Sequence, residues 1–251
     1  MAALLATATA MAEAQIRSTV FSVIKTKVLE KVRNYRMETF INCLCEEYRK
    51  EQDIKGLSSD LSEHLQQMED DSELQEVIFS SYRRVALSAS RITGPRVIAL
   101  LTAKLIIENR MATQEEEAIL SVAEDFSDRD FGQFLIWWEK EKEIYEKRPV
   151  LFEEFRSHPL SRIPLGTNNG PRGSGITSPK NLYRDFGPFA SKLEKVGMIY
   201  EEVYSGPFDD KDDKSIVTTK ELCIDPSVYI FAELAERAKN AGHKSKTPAS
   251  K

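Results

Sequence analysis

The stretch from Thr93 to Glu108, TGPRVIALLTAKLIIE, decides how the chain is read. Thr93-Gly94-Pro95 marks a restart of the backbone, with proline in a first helical turn, where an amide would lack a partner anyway. Arg96–Glu108 is then apolar on nearly every face, so it belongs at the centre of a helical bundle. The apolar run Val97–Ile107 is interrupted by Thr102 and Lys104 and is about half the length a bilayer requires, which makes it a core helix. Lys104 is the one charge inside that run. Snorkelling to the bundle end or pairing with a buried carboxylate accounts for it better than catalysis does.

Amphipathic segments flank this helix on both sides. Ile16, Val20, Ile24 and Val28 recur every four residues, with Phe21, Leu29 and Val32 beside them. The pattern blurs at Asn34–Met37, and a second helix with Phe40, Ile41, Leu44 and Tyr48 continues it. Ser59 caps a short helix containing Leu61, Leu65 and Met68. Ser72 with Gln75 opens a helix through Val77, Ile78, Tyr82, Val85 and Leu87. Downstream, Thr113 and Glu116 form a capping-box pair in front of Ile119, Leu120 and Val122. Ser127 and Asp130 open the last long helix, with Phe131, Phe134, Leu135, Trp138 and Tyr145 turned inward and Pro149 after its basic end.

Composition agrees with a folded, reduced protein. Of 251 residues, 41% are apolar and 30% charged, which is globular rather than disordered. The formal net charge of −5 argues against a protein that coats nucleic acid without specificity. Cys43, Cys45 and Cys223 are too few for a disulfide framework, and no Cys-x-x-Cys or neighbouring His makes them a metal or redox site. The opening MAALLATATAMA lacks the basic region of a secretory signal, and the helical pattern runs on through Glu13, Arg17 and Val20. A cytoplasmic protein is therefore expected.

Charge is unevenly distributed. Glu51–Glu76 carries nine acids against Lys55, a balance of −8. Arg156–Arg184 carries Arg156, Arg162, Arg172, Lys180 and Arg184 with no acid, a balance of +5. Pro159, Pro164, Gly166, Gly170, Pro171, Gly173, Gly175 and Pro179 make this basic stretch a loop or linker. Beyond it, Pro188–Val196 reads as a short helix closed by Gly197. Met198–Tyr204 and Ser215–Ile224 read as a hairpin across Ser205–Lys214, and Ser227 as the cap of a final helix to about Asn240. The tail HKSKTPASK is solvated.

A short helix, then Leu193-x-x-x-Gly197-Met198-Ile199, a hairpin and a closing helix resembles the latter half of a winged-helix domain. The resemblance covers roughly residues 180–225 and implies a helix packed beneath a two-stranded wing. The expected fold is mainly α: a multi-helix bundle over 1–150, a basic Pro/Gly-rich linker over 151–180, a small α/β winged-helix-like module over 181–240 and a disordered tail over 241–251.

No motif for catalysis emerges. Gly170-Pro-Arg-Gly-Ser-Gly175-Ile176-Thr177 has the glycine spacing of a phosphate-binding loop, but Ile176 stands where the phosphate-contacting lysine belongs, and no apolar strand precedes it. Arg172 breaks the G-x-S-x-G pattern of a nucleophile elbow. His64, His158 and His243 each lack a partner at ligand spacing. Arg33-Asn34 opens like the active motif of helical ribonucleases of the higher-eukaryotic and prokaryotic nucleotide-binding type, but Glu38 replaces its histidine. Glu115–Glu117 and Asp128/Asp130 sit in first helical turns, where the macrodipole favours negative charge.

The sequence thus predicts a non-enzymatic protein without cofactor or metal, one that acts by binding another protein, as bacterial regulators and phage-exclusion factors of this plain build do. Arg162, Arg172, Lys180 and Arg184 of the basic stretch, Trp137, and Asp209, Asp210, Asp212 and Asp213 at the hairpin tip are the candidate partner-binding residues. The alternative is a DNA-binding transcriptional regulator whose winged-helix-like module presents Lys192 and Lys195. Against it stands the tip Asp209–Lys214, with net charge −2, where a DNA-contacting wing is basic.

Overall fold

The computed structural model describes residues 30–55, 72–146, 161–168, 186–207 and 216–244. In order, these form α1 (Glu30–Lys55), α2 (Ser72–Leu87), α3 (Thr93–Glu108), α4 (Gln114–Asp125), α5 (Asp128–Glu146), β1 (Ser161–Asn168), α6 (Pro188–Lys195), β2 (Ile199–Pro207), β3 (Ile216–Ile224) and α7 (Ser227–Lys244). The protein is mainly helical with a small antiparallel sheet. No helix among the described residues is long and apolar enough to cross a membrane.

Helix α3 occupies the centre, as its apolar circumference requires. Val97, Ile98, Ala99, Leu101, Ala103, Leu105 and Ile106 are all buried, and α1, α2, α4 and α7 pack around them. Thr102, the polar interruption, is buried without loss: its hydroxyl lies 2.8 Å from Ser81 Oγ of α2 and 2.7 Å from the Ile98 carbonyl oxygen. Lys104 reaches the half-exposed rim and pairs with Glu116 at 3.0 Å. Asn109 ends the helix in the left-handed region at φ 49°, and its N–H and that of Arg110 return to the carbonyls of Ile106 and Leu105. At its start α3 has no side-chain cap on Ile92. Asp128, from α5, serves instead, accepting from Arg91 N at 2.9 Å, Thr93 N at 3.3 Å and Ser90 Oγ at 2.5 Å.

Two sequence-predicted caps form as reciprocal boxes. Thr113 Oγ1 accepts from Glu116 N while Glu116 Oε2 accepts from Thr113 N. Ser127 and Asp130 exchange the same pair of bonds at the head of α5. The final helix differs from expectation. Asp225 accepts from Ser227 N at 2.9 Å, so Asp225 is the cap, and Pro226 and Ser227 fill the first turn. Proline at that position opens the helix as much as it ends the strand. The blur at Asn34–Met37 is no break either, because α1 runs through it unbroken. The helix expected around Leu61–Met68 and the apolar periodicity of Ile16–Val28 lie outside the described residues.

The sheet has the order β1-β3-β2, antiparallel throughout. Its first strand is a correction to the linker reading. Residues 161–168, inside the expected linker 151–180, pair with β3 from Ser161 opposite Ile224 to Asn168 opposite Thr218. Pro164 and Gly166 had marked this segment as a loop. An edge strand pairs on one side only, and the register shifts between those two residues, so both breakers are accommodated. The hairpin β2–β3 forms as expected, but it pairs from Ile199 opposite Ile224 to Pro207 opposite Ile216, past Tyr204 where the first strand was expected to end. Gly197, at φ 77°, makes the exit from α6 into β2, where a residue with a Cβ would be strained.

One buried cluster runs from Met37 to Ala238. At its centre Phe126 and Phe134 meet Phe189 of α6 and Phe231 of α7, with ring centroids 5.0–6.4 Å apart. The helical part and the α/β part therefore share a core instead of meeting across a tether. Arg96 Nη1 adds a bond of 3.0 Å to the Ala238 carbonyl oxygen, and Arg237 pairs with the buried carboxylate of Glu47.

Candidate partner-binding surface

The two lysines assigned to the DNA reading are engaged within the molecule. Lys192 Nζ donates to Asp130 Oδ2 at 2.8 Å and to the Asp125 carbonyl oxygen at 2.7 Å. Lys195 Nζ lies 3.0 Å from Asp125 Oδ2. Burial pushes the Asp130 carboxyl up, but Lys192 and the Ser127 hydroxyl and amide outweigh it and hold the group below the usual carboxylate value. The basic face of α6 is thus turned onto the α4–α5 corner.

Trp137 is also used internally. Its ring is half-buried against Phe134, Phe186 and Phe189, at centroid distances of 5.9, 6.1 and 5.8 Å, while the adjacent Trp138 is buried beside Tyr229. The sequence reading kept Trp137 as a candidate partner-binding residue, but Phe186 and Phe189 of this chain cover its ring. Arg162 lies in β1, in register with Cys223. Arg172, Lys180, Arg184, Asp209, Asp210, Asp212 and Asp213 lie outside the described residues.

The densest charge cluster is a scaffold. Arg110 grips Glu116 with two parallel bonds, Nη1 to Oε2 at 2.6 Å and Nη2 to Oε1 at 2.7 Å, and Lys104 adds a third. Arg110, with help from the Thr113 amide and Lys104, overcomes burial and lowers the Glu116 pKa to about 2. Each member is matched, and the cluster joins α3 to α4. Among the described residues no three His, Cys, Asp or Glu side chains come together to hold a metal ion. Burial raises the Cys43 thiol to about 11, which makes it a poor nucleophile. A groove of about 240 Å³ between α1, α3 and α7 has an aliphatic floor of Leu100, Leu101 and Leu234. Its rim carries charges of both signs, Glu47, Glu51, Lys104, Glu108 and Arg237.

The outward face of α2 is different. Leu74, Val77, Ser81 and Val85 form the buried side of this helix. On the opposite side Phe79 is 62% exposed, Leu87 61% and Tyr82 49%. Tyr229 and Ile230 form a less exposed pair on α7, and Ile136 on α5 and Val203 on β2 are single exposed apolar residues, which is ordinary for a protein surface. Three large ones on one face of a single 16-residue helix are not. Sequence reading ran the helix through Tyr82 and Leu87 without assigning them a side, and apolar residues fill more of this helix than one core-facing stripe needs. That surplus was the available signal. Which residues it would leave outside depended on how α3 and α4 packed.

Two charged residues fall within this face, between Phe79 and Leu87 on the helix circumference. Glu76 and Arg83 are exposed beside Phe79, and neither forms an ion pair with another described residue. The next residue, Arg84, is by contrast drawn inward to Glu117 at 2.5 Å and Glu124 at 3.4 Å on α4. Comparison with protein-family models, with curated proteins and with solved structures finds no match to this chain.

Proposed function

We propose that this chain is a non-enzymatic interaction protein that docks on protein through the outward face of α2. The exposed group Phe79, Tyr82 and Leu87 carries the reading. Aromatic and aliphatic side chains on a rigid helix supply apolar area at small entropic loss, and Glu76 and Arg83 between them give orientation. The well-anchored core behind the helix keeps the face preformed, which lowers the cost of association.

A DNA-binding reading has one observation in its favour. The sheet order β1-β3-β2, with α6 leading into the β2–β3 hairpin, is what a winged-helix-like module would have. Its lysines, however, would have to leave Asp130 and Asp125 before meeting a phosphate. That exchange trades one anionic partner for another and removes most of the electrostatic gain.

Retention assays with the immobilised full chain test both readings. Protein retained from extract of the source cells by the unaltered chain, and lost with Phe79→Ser or Leu87→Ser, supports docking through α2. Retention unchanged by either substitution overturns it. Tight duplex binding near physiological salt, abolished by Lys192→Glu, would favour the alternative.

A further inference from the structure

The charges within the α2 face are arranged for self-recognition, and we infer that its occupant is a second copy of the same chain, paired antiparallel about a two-fold axis. This inference rests on α2 being the docking face and names what docks there. Glu76 and Arg83 lie two helical turns apart, so they fall on the same side of Phe79. The midpoint between them along the helix lies between Phe79 and Ser80. Two α2 helices laid antiparallel across that midpoint bring Glu76 of each copy opposite Arg83 of the other, twice over, with both Phe79 rings between the pairs. A two-fold axis requires this kind of surface, one that complements itself.

The neighbouring positions agree with the same register. Leu87 of one copy comes level with Ser72 of the other, so a large side chain meets a small one. Parallel pairing would instead set Glu76 level with Glu76 and Arg83 level with Arg83, placing like charges together. Arg84 cannot substitute for Arg83, since Glu117 and Glu124 hold it on the inner side.

Sedimentation equilibrium of the full chain, with circular dichroism to verify folding, tests the pairing. The unaltered chain is expected to form a dimer. Glu76→Arg and Arg83→Glu each set like charges opposite one another twice, and each should weaken self-association by roughly tenfold or more at low salt. An equimolar mixture of the two single variants should associate again, because each supplies the charge the other lacks. The double variant E76R/R83E should also recover, and Phe79→Ser should be monomeric with its helicity intact. Misfolding cannot produce the recovery on mixing, so that result separates a true contact from a damaged one.

A dimer indifferent to every swap would place the contact elsewhere and overturn the pairing. A monomeric unaltered chain would overturn it too. If that monomer still retains a different protein through Phe79, docking through α2 stands and only self-pairing falls. If retention is also indifferent to Phe79→Ser, both readings fall.

Discussion

Lys192 Nζ sits 2.8 Å from Asp130 Oδ2, joining the helix that leads into the hairpin to the first turn of the longest helix after the core. Asp130 is buried and already accepts from the Ser127 hydroxyl and amide, so the ammonium completes a carboxylate with little access to water. The same carboxylate caps α5, so helix capping and the attachment of α6 depend on one group.

Lys192→Met leaves that carboxylate short of a partner and should destabilise the protein by roughly 1–3 kcal/mol in urea unfolding. Lys195→Met breaks a pair whose members are largely exposed, and should cost less than about 1 kcal/mol. Equal effects of the two changes would show that Asp130 is better hydrated than its burial implies.

Acid should weaken the protein through Glu116. Arg110 holds the folded pKa at about 2, against an ordinary 4.5. A depressed carboxylate contributes stability that is fully present above its unfolded value and is lost as pH falls through the folded one. Denaturation midpoints should therefore drop between about pH 4.5 and pH 2. Glu116→Gln should be less stable at neutral pH and show a flatter profile across that window. Parallel profiles for the two proteins would assign the acid sensitivity to other carboxylates.

Two glycines should respond oppositely to alanine. A Cβ at Gly94 would lie 2.5 Å from the Ala123 carbonyl oxygen and 2.7 Å from Ser88 Oγ, so α3 and the end of α4 would have to separate. Gly94→Ala should cost roughly 1–3 kcal/mol. A Cβ at Gly132, inside α5, meets nothing within 4 Å. Gly132→Ala should gain up to about 1 kcal/mol from helix propensity. Thermal midpoints moving in the same direction would contradict this pair of expectations.

Much of the fold was legible because local rules agreed with the tertiary outcome. The all-round apolar Arg96–Glu108, the boxes Thr113/Glu116 and Ser127/Asp130, and Gly197 each carry their signal within a few residues. Lys104 was read as a charge that either snorkels to the bundle end or pairs with a buried carboxylate, and it does both, reaching the rim and Glu116. The strand at Ser161–Asn168 was not legible. Its proline and glycine obey loop statistics, and only pairing with the sequence-distant β3 makes the segment a strand.

The functional surface divides in the same way. By itself the sequence determined that α2 would be helical and held more apolar residues than one stripe can bury, since periodicity and composition are properties of the segment alone. Only the tertiary structure decided that Phe79, Tyr82 and Leu87 would face outward, that Arg84 would turn inward while Arg83 stayed out, and that Lys192 would meet Asp130. Those outcomes depend on where α4 and α5 pass. Burial and pairing are relations between distant segments, and packing around α3 settles them.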